Sequence, residues 1–168
     1  MATLTYHEQK DVENIKRLRG LIKELPYYCA DFFRGIEPRT STRTRIAYAY
    51  DLRIFFEFLR RANPEAEKLG KEIPLSFLED LNVTDLEEYM EYLKCHPSIT
   101  DDDVFNTERG IMRKVSSLKS FYNYFYRTQK IEKNPAALVQ LPKLHHKEII
   151  RLQIDEVAKL LDLVEDGE

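Results

Sequence analysis

Gln129-Lys-Ile-Glu-Lys-Asn-Pro-Ala-Ala-Leu-Val-Gln-Leu-Pro-Lys-Leu144, followed after a short basic stretch by Ile154-Asp-Glu-Val-Ala-Lys-Leu-Leu161, decides how this chain divides. A helix is expected to end near Lys130. Asn134 can then cap a short new helix that Pro135 opens at its first position, where a missing N–H is not needed. Pro142 stops it. Lys143, Lys147, Arg151 and two histidines follow with little apolar periodicity, so residues 143–153 read as an exposed linker. A further helix is expected from Ile154 to about Glu165. Alone it has nothing to bury its apolar face against, so the chain is expected to be a piece of a longer protein, ending just inside a second domain.

Upstream of this junction, helical periodicity dominates and glycine is scarce, with five in 168 residues. Glu8 to Leu25 places Val12, Ile15, Leu18, Leu21, Ile22 and Leu25 on a narrow apolar stripe of a charged helix, able to pack on the core or on a partner. Pro26 breaks that pattern, and Tyr27 to Arg34 forms a short aromatic segment ended by Gly35. Ser41 or Thr42 starts a helix that runs to about Arg61 and stops at Asn63-Pro64. Pro74 to Leu81 reads as an irregular or short helical piece. Thr84, with Glu87 three residues on, is expected to cap a helix to Lys94. Pro97 to Asn106 reads as an acidic loop, and a long helix follows from about Thr107 to Gln129. The fold class is therefore all-α, a compact bundle of about four to five helices, with an extra N-terminal helix and a C-terminal linker helix.

Hydrophobic residues make up 43% of the sequence, enough for one domain plus appendages. No run approaches the roughly 18 apolar residues of a membrane span, and Met1 to Lys10 lacks a signal peptide's apolar stretch. A cytoplasmic protein without a membrane partner is expected. Cys29 and Cys95 are isolated and expected to be reduced. Cys95-His96 and His145-His146 have no second pair at ligand spacing, and Asp101-Asp102-Asp103 lacks the alternation and glycine of a calcium loop. No metal or cofactor is expected.

The formal net charge of −3 hides a sorting by element. Arg39 to Arg61 carries six cations against two acids, and Phe105 to Asn134 seven against two, whereas Pro64 to Val104 carries three lysines against twelve acids. Positive potential is thus gathered on two helices. On the long helix, Ile111, Val115, Leu118, Tyr122 and Phe125 share one side at about 100° per residue. The opposite side reads Arg109, Arg113, Ser116, Ser117, Ser120, Tyr124 and Arg127, with Lys114 and Lys119 at the flanks. Arginines spaced by small hydroxyl residues allow close approach to a groove and contacts to phosphates or base edges. On the preceding basic helix, Tyr48, Ala49, Leu52, Phe55, Phe56 and Leu59 form an inner face. Arg39, Thr42, Arg43, Thr44 and Arg45 crowd its N-terminus, where free N–H groups and the helix dipole favour an anion. Charged helix faces are also common as plain solvated surface.

The Asn-Pro-Ala, Pro-Lys and Leu-x-x-x-Glu-Val-x-x-Leu-Leu series resembles the junction between the core-binding and catalytic domains of tyrosine recombinases of the phage-integrase and Xer type. Ser41-x-x-Thr44-x-x-x-Tyr48-x-x-x-Leu52-x-x-Phe55-x-x-Phe58-Leu59 and Val115-Ser-Ser-Leu-Lys-Ser-Phe-Tyr122 extend the resemblance over Ser41 to Leu161. It implies a SAM-like core-binding domain at residues 38–142, an N-terminal extension at 1–37, the linker at 143–153 and the first helix of a catalytic domain at 154–168. It also implies partners, namely duplex DNA and, in the full-length protein, further protomers, with the isolated piece monomeric. Thr44 matches the family's DNA-lying threonine, while Arg45 departs from the apolar residue usual after it. Such enzymes join a tyrosine to the scissile phosphate, helped by cationic and histidine side chains. All of these belong downstream of the segment present, so this piece is expected to have no catalytic residue. The expected DNA contacts are Arg39, Thr42, Arg43, Thr44, Arg45, Arg109, Arg113, Lys114, Ser116, Ser117, Lys119, Ser120, Arg127, Lys143 and Lys147. A helical protein-interaction module and a non-enzymatic DNA-binding regulator are the alternative classes.

Overall fold

The computed structural model describes residues 5–98, 100 and 102–145. Seven α-helices run through them: α1 (Tyr6–Lys23), α2 (Cys29–Ile36), α3 (Thr42–Ala62), α4 (Pro64–Leu69), α5 (Leu75–Asp80), α6 (Val83–Lys94) and α7 (Glu108–Arg127). Short 3₁₀ turns at Glu37–Arg39 and Pro135–Leu138 complete the helical part. The expected all-α bundle is the architecture found, with one addition. The stretch expected as an acidic loop has its ends paired as a two-stranded antiparallel hairpin, β1 (Cys95–Pro97) and β2 (Asp103–Phe105), with His96 opposite Val104. The signal was weak because strand pairing is non-local and each strand has three residues.

Helix starts follow cap chemistry. Thr5 and Glu8 form a capping box on α1, and Ser41 Oγ accepts from the Thr44 N–H at 3.2 Å to open α3. Asn63 does more than stop α3. Its side chain accepts from the N–H groups of Glu65 and Ala66, with Pro64 at the first turn, and so begins α4, a helix not expected from the sequence. The α6 cap also differs from expectation: Asn82 and Asp85 form the capping box, two residues before Thr84 and Glu87. Both pairs have the same spacing, and the earlier one satisfies the free N–H groups of the turn that packing selects. Pro135–Leu138 is one 3₁₀ turn capped by Asn134 rather than a helix reaching Pro142.

The core is aromatic and continuous. Phe32, Phe55, Phe56, Phe121, Phe125, Tyr89 and Tyr122 are nearly solvent-free. Phe121 of α7 sits at the centre, its ring centroid 5.3 Å from Phe32 of α2, 6.3 Å from Phe56 of α3 and 4.9 Å from Phe125. Buried tyrosine hydroxyls find carbonyls: Tyr28 donates to Ile73 O at 2.6 Å and Tyr122 to Leu78 O at 2.8 Å, tying α2 and α7 to the segment around α5. Helix α2, upstream of the expected domain start at residue 38, contributes Cys29, Phe32, Phe33 and Ile36 to this same core. Gly35 lies inside α2 rather than ending it, and for a packing reason. A Cβ there would lie 2.2 Å from Tyr124 Cε2, so only glycine lets the Tyr124 ring approach this closely. Of the α1 stripe, Leu18 and Leu21 are buried against the bundle, while Val12 and Ile15 remain 38% and 39% exposed. No helix among the described residues is long and apolar enough to cross a membrane.

Candidate nucleic-acid interface

The N-terminal end of α3 and the outer face of α7 each carry exposed arginines that take part in no ion pair among the described residues. Ser41 takes the Thr44 N–H on its side chain and the Arg45 N–H on its carbonyl, so the N–H groups of Thr42 and Arg43 are the ones left without a helical partner at the start of this 21-residue helix. Arg39 and Arg43 are exposed, and Thr42 and Thr44 half-buried. A cleft of about 230 Å³ opens here between α1 and α3, lined by His7, Lys10, Asp11, Asn14, Ser41, Thr42 and Arg43. Lys10 and His7 thereby join the cationic end of α3. Their position is set by the packing of α1 on α3, which the spacing within α1 alone does not reveal.

Arg45 is held within the fold. Its guanidinium donates to Thr42 Oγ1 at 3.2 Å and pairs with Glu37 at 3.4 Å, with the side chain 11% exposed, so it stitches the 3₁₀ turn to α3 instead of facing outward. The later arginines of α3 are engaged in the same way. Arg53 pairs with Glu24, and Arg60 and Arg61 both grip Glu57, whose carboxyl they hold below its ordinary value against the opposing effect of burial. The excess charge of α3 is therefore concentrated at its first turns.

On α7 the expected outer face is rotated. Ser117 is 1% exposed and its hydroxyl donates to the Lys114 carbonyl at 2.8 Å. Lys114 is itself buried, its ammonium donating to Asn106 Oδ1 at 2.9 Å, and burial lowers its proton affinity. Tyr124 is half-buried beside Phe32 and Gly35. Lys119 donates to the Val139 carbonyl, holding the 3₁₀ turn on α7. Ser117, Lys114, Tyr124 and Lys119 are thus engaged within the fold, because α2, α3, Asn106 and the Pro135–Leu138 turn with Val139 occupy flanks that periodicity within α7 leaves open. The face left open carries Arg109, Ser116, Ser120, Asn123 and Arg127, with Arg109, Asn123 and Arg127 exposed. Asn123 is the addition. Its signal was available, a polar amide at helical spacing from Ser116, Ser120 and Arg127.

Arg113 stands between the two groups. Its Nη2 donates to Asp51 Oδ1 of α3 at 2.8 Å, joining the two basic helices, while half of its side chain stays in solvent. Lys143 is exposed. Close by, His145 donates its backbone N–H to Glu108 at 3.3 Å and its ring Nδ1 lies 3.1 Å from that carboxylate, which lowers the Glu108 pKa. Lys147 and the helix expected from Ile154 lie outside the described residues. Among the described residues no three histidine, cysteine, aspartate or glutamate side chains are grouped as metal ligands. Tyr122, in the alternating tyrosine series, is enclosed in the core, and burial drives its phenol well above the ordinary range.

Curated relatives cover most of this sequence. A tyrosine recombinase XerC of Caldanaerobacter subterraneus subsp. tengcongensis is 34% identical over 143 residues, which is 80% of this chain and 38% of that protein. The tyrosine recombinase XerC of Chlorobaculum tepidum is 30% identical over 154 residues, 92% of this chain and 39% of that protein. That of Anoxybacillus flavithermus is 30% identical over 125 residues, 74% of this chain and 35% of that protein. The chain thus spans between 35% and 39% of the length of these three relatives. No family model matches the chain, and no solved structure matches it.

Proposed function

Since this chain belongs to the tyrosine recombinase family, we propose that it is the core-binding part of a site-specific recombinase, gripping one side of duplex DNA. The observation that carries the reading is the placement of four exposed arginines beside an open helix end and a hydroxyl strip on the two helices where basic residues outnumber acids. Arg39 and Arg43 flank the open N-terminus of α3, while Arg109 and Arg127 flank a strip of serines and Asn123 on α7. An arginine-and-hydroxyl strip of this kind suits phosphate contacts along a groove, with few side chains placed to read bases. Residues 38–142 form the DNA-binding unit in this reading, and the remainder of a longer protein supplies the tyrosine nucleophile and its charge-stabilising groups. The buried Tyr122 is unsuited to nucleophilic attack, since a phenol held protonated in an apolar core neither ionises nor reaches a phosphate. Other protomers bound to the same DNA are its protein partners.

Fluorescence anisotropy of a labelled duplex tests the reading. With about five phosphate contacts, the log-log salt slope is expected near −4 to −5, so affinity drops a few hundredfold between about 50 and about 200 mM salt. A protein-interaction module would give no salt-dependent binding, and that result would overturn the proposal.

A further inference from the structure

Asp51 is an unusual residue to find where it is. It is 2% exposed on α3, with one carboxylate oxygen bonded to Arg113 and the other, Oδ2, buried with no hydrogen-bond partner among the described residues. The Tyr89 hydroxyl, also buried, is likewise unpartnered. Burial pushes the Asp51 carboxyl up, and the charges of Arg113 and Lys114 only partly counter this. For holding two helices together, such a half-satisfied carboxylate is a poor solution, since an apolar pair of similar volume would do as well without the desolvation cost.

Its partner is what sets it apart. Among the described ion pairs, the acids bound to Arg34, Arg45, Arg53, Arg60 and Arg61 are all at least 42% exposed, whereas the acid holding Arg113 is 1% exposed at its side chain. Arg113 itself stays 49% exposed. A rigid buried anchor therefore fixes one nitrogen of a guanidinium whose remaining N–H groups have no partner among the described residues and face solvent between the two basic helices. The guanidinium is a planar fork of five donors, and fixing one corner orients the rest.

We propose that Asp51 is a positioning residue that presents Arg113 to the DNA, making Arg113 the side chain of this domain that distinguishes a base, by two N–H groups on the acceptor edge of guanine. The inference rests on the DNA reading above and deepens it. An arginine held in advance loses less freedom on binding, and a fixed fork accepts one acceptor geometry where a mobile one settles on any phosphate.

The test is selection of bound duplexes from a library randomised in sequence, using the whole chain, followed by sequencing. Wild type is expected to enrich guanine at one position, and Arg113→Ala to lose that enrichment by about fivefold or more. Asp51→Ala should lose the same enrichment while its affinity for the unselected library holds or rises, because Arg113 loses the counter-charge beneath it and stays cationic. A merely structural Asp51 would lower affinity and melting temperature together and leave the base preference as it was, which overturns the proposal. Should Asp51→Ala fail to fold, the isosteric Asp51→Asn decides. With the charged anchor gone, the Arg113 Nε–Hε resonance should report a mobile side chain and the guanine preference should fall several-fold. An unchanged preference with a mobile Arg113 overturns the proposal. If Arg113→Ala keeps the wild-type preference while salt-dependent binding persists, the positioning inference fails and the DNA reading survives. Absence of salt-dependent binding by wild type removes both.

Discussion

Phe121→Ala is expected to destabilise the domain by about 3–5 kcal/mol, the usual cost of truncating a fully buried phenylalanine. Phe121 is 1% exposed and its ring meets Tyr28, Phe32, Phe56, Tyr122 and Phe125, so the packing of α2, α3 and α7 on one another is weakened at a single shared point. Rigid aromatic neighbours on several sides cannot collapse into the space, which places the loss at the upper end of that range. A domain of this size has a total stability of about 5–15 kcal/mol, so the variant should melt many degrees lower or be unfolded at about 37 °C. Circular dichroism of the helical signal during heating and in urea reads this directly. A loss below about 1 kcal/mol would mean that Phe121 is not the hub of the core.

The second large effect is on binding. Replacing Arg39, Arg43, Arg109 and Arg127 together by alanine should weaken duplex binding by more than about a hundredfold at low salt and make the salt slope shallower by about 0.9 for each phosphate no longer neutralised. All four side chains are exposed and none takes part in an ion pair among the described residues, so the melting temperature should barely move. The control replaces Arg53, Arg60 and Arg61 together, which removes nearly as many charges. Those arginines are paired with Glu24 and Glu57. If this second set weakened binding as strongly as the first, affinity would follow total charge and not the placement of the unpaired arginines.

Which features were legible in the sequence follows from how far apart the interacting residues are. Ser41, Thr107 and Asn134 announce helix starts because a cap acts within three residues, and the structure places each at the start of its element. Asn63-Pro64 was legible as an end but equally encodes a beginning, and only the packing of Ala66 into the core shows that α4 forms there. The buried stripe of α7 follows helical periodicity at Ile111, Val115, Leu118, Tyr122 and Phe125. Its outer edge does not follow it, because periodicity gives the centre of the buried face and not its width. The width is set by α2 and α3, which claim Lys114, Ser117 and part of Tyr124. The pairings of Arg45 with Glu37 and of Arg113 with Asp51 change what two basic residues do, and each joins residues that no local pattern connects. Charge sorting by element was visible from composition. Its concentration at the first turns of α3 was not, since that depends on Glu24 reaching Arg53 from another helix.

Amide chemical-shift mapping on the isotopically labelled chain, titrated with duplex DNA at low salt, locates the contact surface residue by residue. The expected result is a set of shifts confined to Arg39–Ala47, to the Arg109, Arg113, Ser116, Ser120, Asn123 and Arg127 face of α7, and to Lys10 beside them, with the acidic surface of α4 to α6 and the hairpin silent. Shifts gathered instead on that acidic surface or on the exposed Val12 and Ile15 of α1, or no shifts at all, would contradict the assignment of the two basic helices to DNA.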